Sequence, residues 1–384
     1  MPKLAEKIAK EIAFQGPMPF ARFMDLALYC PVYGYYEKEA DNLGRGGDYF
    51  TSVSIGGLFG QLLACQFAEW LSECGARSAE HGTGSKEAGL RVVEAGAHRG
   101  DLARDILLWM REHRPDLFPR LEYWIVEPSE HRRNWQRQNL AEFTAKVHWA
   151  NEFAELVQPP QATLNPQPSR GVHGIIFSNE LLDAMPVHRL GWDAKGKTWF
   201  EWGVALDGGK FVWTRLPDAL SSSHVPPFTF HGSLLDVLPD GFSIEVCPAA
   251  EAWWRQAAAV LASGKLLTVD YGLNAEEFFR PERKEGTLRA YREHQTTSDV
   301  LAQPGSQDIT AHVNFTAIQQ AGESAGLRTE TITQQERFLT TIAARTWNGD
   351  LAFGPWTQAH TRQFQTLTHP DHLGRSFRVL VQSR

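Results

Sequence analysis

The stretch that decides the fold is Leu90-Arg-Val-Val-Glu94-Ala-Gly96-Ala-His98-Arg-Gly100-Asp101-Leu102-Ala-Arg-Asp-Ile106-Leu-Leu-Trp109-Met110. Its opening residues are mostly apolar and predict a short buried strand ending in an acid, Glu94. A turn bearing Gly96 and Gly100 follows. Leu102, Ile106 and Trp109 or Met110 then recur on one helical face. Strand, glycine turn and helix make the layout of a nucleotide-cofactor crevice at the carboxyl ends of parallel strands. The glycines let a ligand approach the backbone, and the helix N-terminus offers unbonded N–H groups.

A dinucleotide fingerprint needs G-x-G-x-x-G, and only Gly96 and Gly100 are present. An acid at the strand end with glycines around it is closer to the S-adenosylmethionine pattern. A tight strand-to-helix turn with incidental glycines is the alternative. A second strand, Leu121-Glu-Tyr-Trp-Ile-Val-Glu127, again ends in an acid, and Pro128-Ser129 opens another helix. Glu127 stands where a ribose is gripped through its paired hydroxyls in dinucleotide-binding folds. Two strand-terminal acids in that order favour a nucleoside cofactor.

Further strands are expected at Val147-His-Trp149 and Ile175-Ile-Phe177. The second of these runs into Ser178-Asn179-Glu180-Leu-Leu-Asp183-Ala-Met-Pro186, read as polar residues and a helical turn at the carboxyl edge of the sheet. Segments 198–206 and 211–215 flank Asp207-Gly208-Gly209, a hairpin read as an antiparallel addition to that sheet. A strand at 242–247, a helix at about 249–262 and the strand Leu266-Leu-Thr-Val269 continue the α/β alternation. That last strand leads into Asp270-Tyr271-Gly272, and Phe377-Arg-Val-Leu-Val381 is expected to close the sheet.

Before the deciding stretch, Leu4, Ile8 and Ile12 predict an amphipathic helix over 3–14, and 20–29 predicts a second. Leu43-Gly-Arg-Gly-Gly47-Asp48-Tyr-Phe-Thr51-Ser52 is a loop able to wrap a ligand. Leu58 to Cys74 is helical by pattern. The almost apolar-free run 75–89 reads as a linker and domain boundary. The expected organisation is a helical N-terminal region at 1–75, a linker at 76–89 and an α/β domain at 90–384, with insertions at about 187–240 and 275–315.

Composition narrows the classes. The chain has 384 residues, 42% hydrophobic and 22% charged, enough for a proper core. A net charge of −7 argues against a general nucleic-acid binder. Cys30, Cys65, Cys74 and Cys247 lack C-x-x-C spacing, which argues against a zinc site or a disulfide framework and fits a reducing compartment. With no long apolar run, a soluble cytoplasmic protein without membrane insertion is expected.

Over about 300 residues the chain resembles the MidA-like S-adenosylmethionine-dependent methyltransferases. The resemblance rests on Tyr29…Pro31…Gly34-Tyr-Tyr36, Gly47-Asp48…Thr51-Ser52, Leu58-Phe-Gly60 and Glu94…Gly96…Gly100-Asp101-Leu102. It continues through Asn179-Glu180-Leu-Leu-Asp183-Ala-Met-Pro186-Val, Asp270-Tyr271-Gly272, Thr287-Leu-Arg289-Ala-Tyr291…His294 and Pro304-Gly305…Gln307-Asp308-Ile-Thr310-Ala-His312-Val.

The resemblance implies a Rossmann-like methyltransferase fold, a mostly parallel sheet with antiparallel additions plus a helical N-terminal region. It implies S-adenosyl-L-methionine as cofactor, held by Gly47, Asp48, Thr51, Ser52, Glu94, Gly96, Gly100, Asp101, Glu127 and Asn179. It also implies methylation of an arginine on a protein such as a respiratory-chain subunit, in complex I assembly, with Glu180, Asp183 and His294 catalytic and no metal. Glu180 and Asp183, three apart in the expected helical turn, would face one cleft.

Three departures stand out: His98 replaces the middle glycine of the turn, Val53-Ser54 replaces Pro-Glu, and Asn314 replaces Asp. His98 is compatible with the turn if its φ is negative and its ring points away from the cofactor. Competing readings are a binding or assembly protein that kept the fold without catalysis, and an NAD-dependent oxidoreductase. Oligomeric state and the identity of the acceptor protein are not encoded in these motifs.

Overall fold

Strand Leu90–Ala95 (β1) lies inside a sheet that also contains Leu121–Val126 (β2), Val147–Ala150 (β3), Val172–Asn179 (β4), Leu261–Leu273 (β5), Arg328–Gln334 (β6) and Phe377–Ser383 (β7). The computed structural model describes residues 3–38, 51–80, 89–157, 171–216, 237–292, 295–347 and 353–384, with the side chains of 75–80 left aside. Strand order is β6-β7-β5-β4-β1-β2-β3. Every neighbouring pair is parallel except those made by β7, which is antiparallel to both β5 and β6. The order reverses between β1 and β4, so the topological switch point lies there, at Ala95 and Asn179.

Parallel strands buried on both faces need continuous apolar runs, and Val92, Val93, Ile175, Ile176, Phe177, Leu266 and Leu267 are all buried. Helix Asp101–His113 follows β1 and buries Leu102, Ala103, Ile106, Leu107, Trp109 and Met110. Helix Leu58–Glu80 joins the same core through Phe59, Leu62, Leu63, Phe67 and Leu71. It approaches the helix after β1 at Gly60, where an added Cβ would stand 2.6 Å from Asp105 Cβ. The helix runs past Cys74 to Glu80, so its last turns occupy the start of the expected linker. Residues 81–88 lie outside the described ones.

By contacts the chain forms two units. One takes residues 1–49, 182–251 and 272–317; the other takes 50–181, 252–271 and 318–384 and contains the sheet above. The boundary expected at 76–89 therefore falls within the second unit. Its apolar helix is committed to the sheet core, which a composition scan cannot see.

The first unit has its own architecture. Met18–Pro19, Thr198–Asp207, His188–Asp193, Ser243–Val246 and Lys210–Arg215 form a five-stranded antiparallel sheet. The Asp207-Gly208-Gly209 hairpin is real, with φ of +52° and +78° at its glycines. It belongs to this separate sheet and adds nothing to the parallel one, and the strand expected at 242–247 goes with it. Gln295–Thr297, Arg289–Arg292 and Asp308–Thr310 make a three-stranded sheet. Helices Lys3–Gln15 and Phe20–Tyr29 pack with Val204, Leu288, Ala290 and Ile309. No described helix is long and apolar enough to cross a membrane.

Candidate active site

At the end of β1, Glu94 is 2% exposed and its Oε2 accepts a 2.6 Å hydrogen bond from the phenol of Tyr123 on β2. Burial pushes its carboxyl up to about 7; the Tyr123 bond works against that rise and Asp101 adds to it. Gly96 follows with φ +75°, and an added Cβ would meet Leu181 Cδ1 at 2.8 Å. Only glycine suits both the dihedral and the close packing.

His98 has φ +45°, so the negative φ under which it would suit the turn is not met. A non-glycine residue held there costs on the order of 1–3 kcal/mol and persists only where its surroundings over-determine it. They do: Gln136 Nε2 donates to His98 O at 3.0 Å, Asn139 Nδ2 donates to Arg99 O at 3.1 Å, and Gly100 N donates to Ala97 O at 2.6 Å. The His98 ring lies against Trp135, 6.1 Å between centroids. Asp101 is exposed and its Oδ1 accepts from Asn139 Nδ2 at 2.8 Å, so it pins the same loop.

Glu127, immediately after β2, is 2% exposed. Its Oε1 accepts from Ser129 N at 2.9 Å and pairs with Arg132 Nη2 at 2.8 Å, while Oε2 has a longer 3.4 Å contact with Gln136 Nε2. The carboxylate is oriented before any ligand arrives. Gln136 thus ties together the turn after β1 and the acid after β2.

Beyond β4, Glu180 takes φ +51°, with its N donating to Val269 O at 2.9 Å. Residues 180–183 form a bend and a turn, so the expected helical turn is absent and a shared helix face cannot align Glu180 with Asp183. The main-chain reversal at Glu180 is the reason. Glu180 Oε1 accepts from Ser52 N at 3.0 Å and from Asn179 Nδ2 at 3.1 Å. Asn179 Oδ1 is buried with no partner among the described residues.

Ser52 Oγ donates to Gln335 Oε1 at 3.1 Å. Thr51 Oγ1 accepts from Ser54 N at 3.0 Å, and Ser54 Oγ accepts from Thr51 N at 2.9 Å. The departure at Val53-Ser54 therefore closes its own tight turn and carries Ser52 N to Glu180.

In the first unit, Asp183 is 7% exposed and its carbonyl accepts from Ala311 N at 2.9 Å. Burial, then Asp183 and Asp308, raise the Tyr291 phenol. Tyr36 donates to Asp308 Oδ1 at 2.6 Å, and Tyr29 donates to Ala184 O at 2.9 Å. Glu245 Oε2 accepts from Thr287 N at 2.7 Å and from its hydroxyl at 2.8 Å, and Thr287 Oγ1 accepts from His312 N at 3.1 Å. Asn314 Oδ1 caps the next helix by accepting from Ala317 N at 3.1 Å. Gly47, Asp48 and His294 lie outside the described residues.

Sequence reasoning missed Tyr123, Gln136 and Asn139 as parts of the site. Nothing in a strand or helix pattern marks a side chain by the loop it will meet.

A parallel sheet with acids ending its first two strands and a glycine turn at its switch point defines a Rossmann-like nucleoside-cofactor enzyme. Residues 62–333 match the family of S-adenosyl-L-methionine-dependent methyltransferases, and the chain belongs to that family. A protein from Burkholderia thailandensis solved with S-adenosyl-homocysteine bound superposes with a TM-score of 0.80 at 30% identity, covering 99% of this chain and 92% of that one. Among curated relatives, the mitochondrial protein arginine methyltransferase NDUFAF7 of Danio rerio is 27% identical over 83% of this chain and 71% of its own. The Homo sapiens protein of that name is 28% identical over 82% and 67%.

The cofactor is thus S-adenosyl-L-methionine and the protein is an enzyme. The cytoplasmic expectation is corrected, because the relatives are named as mitochondrial. Scattered cysteines and an amphipathic first helix report redox environment and packing, and neither carries an address.

Proposed function

We propose that this methyltransferase modifies an arginine side chain of a protein, a respiratory-chain subunit in complex I assembly, and that Glu180 is the carboxylate that handles the guanidinium. The observation that carries this reading is the placement of Glu180: a non-glycine residue at φ +51°, at the carboxyl end of β4 beside the switch point. Strain of that kind persists where the surroundings over-determine it, often at functional sites. The names of the curated relatives supply the acceptor class.

The residues at the strand ends fit the cofactor. Asn179 Oδ1 is a buried acceptor awaiting a donor. Glu94, Gly96, Gly100, Glu127 and Asn179 would hold it, with Thr51 and Ser52 shaping the adjoining turn. Gly47 and Asp48 are retained from the family resemblance, and Asp101 acts by pinning the loop. When bound, S-adenosyl-L-methionine supplies an electrophilic methyl group and departs as S-adenosylhomocysteine.

The chain's own task is to position a nucleophile and take its proton. A guanidinium with a pKa above 12 has a poorly available lone pair. A carboxylate that accepts its N–H bonds orients it and stabilises the proton it must lose. Anchoring Glu180 Oε1 on Ser52 N and Asn179 Nδ2 fixes the carboxylate in one orientation. Asp183 and His294 are assigned supporting roles.

Glu180→Gln keeps the size and loses the charge. The expected result is S-adenosylhomocysteine affinity close to the parent and single-turnover methylation slower by ~10²–10⁴-fold. Normal turnover would remove Glu180 from the chemistry. The acceptor class is tested by mass spectrometry of methylarginine in a deletion strain against its parent; no arginine site losing its methyl groups would overturn it.

A further inference from the structure

We propose that Asp270 is a positioning residue for methyl transfer, holding Glu180 in its left-handed conformation by gripping the backbone beyond it. The proposal rests on the reading of Glu180 given above. Asp270 sits on β5 and is 0% exposed. Its Oδ2 accepts from Leu181 N at 3.1 Å and its Oδ1 accepts from Tyr271 N at 2.8 Å.

The ladder between β4 and β5 runs in register as far as Asn179 opposite Val269. One further backbone bond, Glu180 N to Val269 O, continues it. Past that point β4 turns away, and the next amide, Leu181 N, is met by a side chain instead. Glu180 is thereby pinned on both sides, through its own N–H and through the N–H that follows it. Two fixed amides around one residue leave its φ and ψ little freedom, which is how a non-glycine residue is kept at φ +51°.

The same contact reaches the cofactor turn. Leu181, placed by Asp270, packs where a Cβ on Gly96 would be, 2.8 Å from Leu181 Cδ1. Glu180, placed by the same grip, turns its carboxylate to Ser52 N and Asn179 Nδ2. One buried carboxylate therefore sets the acceptor-side acid and the residue covering the glycine of the cofactor loop.

The chemistry of the grip requires a carboxylate. Both oxygens accept backbone N–H groups, so an amide at this position must point its own NH₂ at one of them. Asparagine is then no conservative replacement.

The test compares Asp270→Asn, Glu180→Gln and the double variant by single-turnover methylation at saturating substrates, alongside calorimetric S-adenosylhomocysteine affinity. Asp270→Asn is expected to lose turnover by ~10–10²-fold, the scale of a positioning defect near the reacting groups. The double variant is expected to be no slower than Glu180→Gln alone, because Asp270 acts through Glu180. Losses that multiply in the double variant would overturn the proposal, as would unimpaired turnover in Asp270→Asn. If Glu180→Gln itself turns over normally, the reading of Glu180 falls first and the proposal falls with it. A measurement on the unsubstituted protein needs no variant to fold: the Leu181 amide should exchange with solvent slowly, and exchange at the rate of an open loop would overturn the grip.

Discussion

His98 shows how much one residue can carry. A histidine in a position suited to glycine is held at φ +45° by Gln136 and Asn139, which bond the carbonyls of His98 and Arg99. Replacing it with glycine removes left-handed strain, restores chain entropy to the unfolded state and loses the contact with Trp135. These oppose one another, so His98→Gly is expected to change stability by less than about 1 kcal/mol. It should bind S-adenosylhomocysteine at least as tightly as the parent, by calorimetry. A large loss of affinity would mean that the imidazole itself touches the cofactor.

Glu94 carries a pH dependence. Its carboxyl, ordinarily near 4.5, is pushed up to about 7, first by burial. Between those values the folded protein holds a proton that the unfolded chain has released, so this group's contribution to stability is greatest at low pH and falls as pH rises. The displacement corresponds to on the order of 3 kcal/mol once both states are ionised. Glu94→Gln keeps an acceptor for Tyr123 and removes the ionisation. Its stability relative to the parent, from urea unfolding, is expected to improve by about 2–3 kcal/mol between pH 5 and pH 8. The same gap at both pH values would show that Glu94 does not titrate in that window.

At the scale of elements, the approach of helix Leu58–Glu80 to helix Asp101–His113 rests on Gly60. Gly60→Ala gains helix propensity of about 1 kcal/mol, yet its Cβ would stand 2.6 Å from Asp105 Cβ, an atom close to the backbone that cannot swing aside. The clash should prevail, with a net loss of about 1–3 kcal/mol in chemical denaturation. A stabilised variant would mean that the two helices can separate freely.

Most elements of the parallel sheet were legible from sequence, because each carries its own apolar run and its own stop. β6 was not. Arg328–Gln334 reads Arg-Thr-Glu-Thr-Ile-Thr-Gln, polar apart from Ile332, and it forms an edge strand only by pairing with β7. The terminal strand, expected to close the sheet, is inserted between β5 and β6 instead. Strand order is a property of pairing, and nothing local to 377–383 encodes its neighbours.

For the whole molecule, the two units have separate cores built from interleaved segments. Glu94, Gly96, Gly100, Glu127 and Asn179, proposed above to hold the cofactor, belong to the second. Hydrogen exchange with S-adenosylhomocysteine should therefore show new protection at 94–100, 127–136 and 178–181. Glu127→Ala should weaken that ligand by roughly 1.5–3 kcal/mol, the range for losing hydrogen bonds to a charged group. Protection that spares 127–136, or unchanged affinity in that variant, would remove the ribose assignment.

By itself the sequence determined the class of this protein. Strand-ending acids at Glu94 and Glu127, the glycines of the first turn and the ordered motifs name a Rossmann-like methyltransferase, because each depends on residues adjacent in the chain. Tertiary structure decided the rest. It turned Glu180 out of a helix by giving Leu181 N to Asp270, set His98 at positive φ through a helix some forty residues on, and placed the hairpin after Asp207 in a sheet of its own. Each of these is a bond between residues distant in sequence, and a backbone conformation held by such bonds leaves no local trace in the chain.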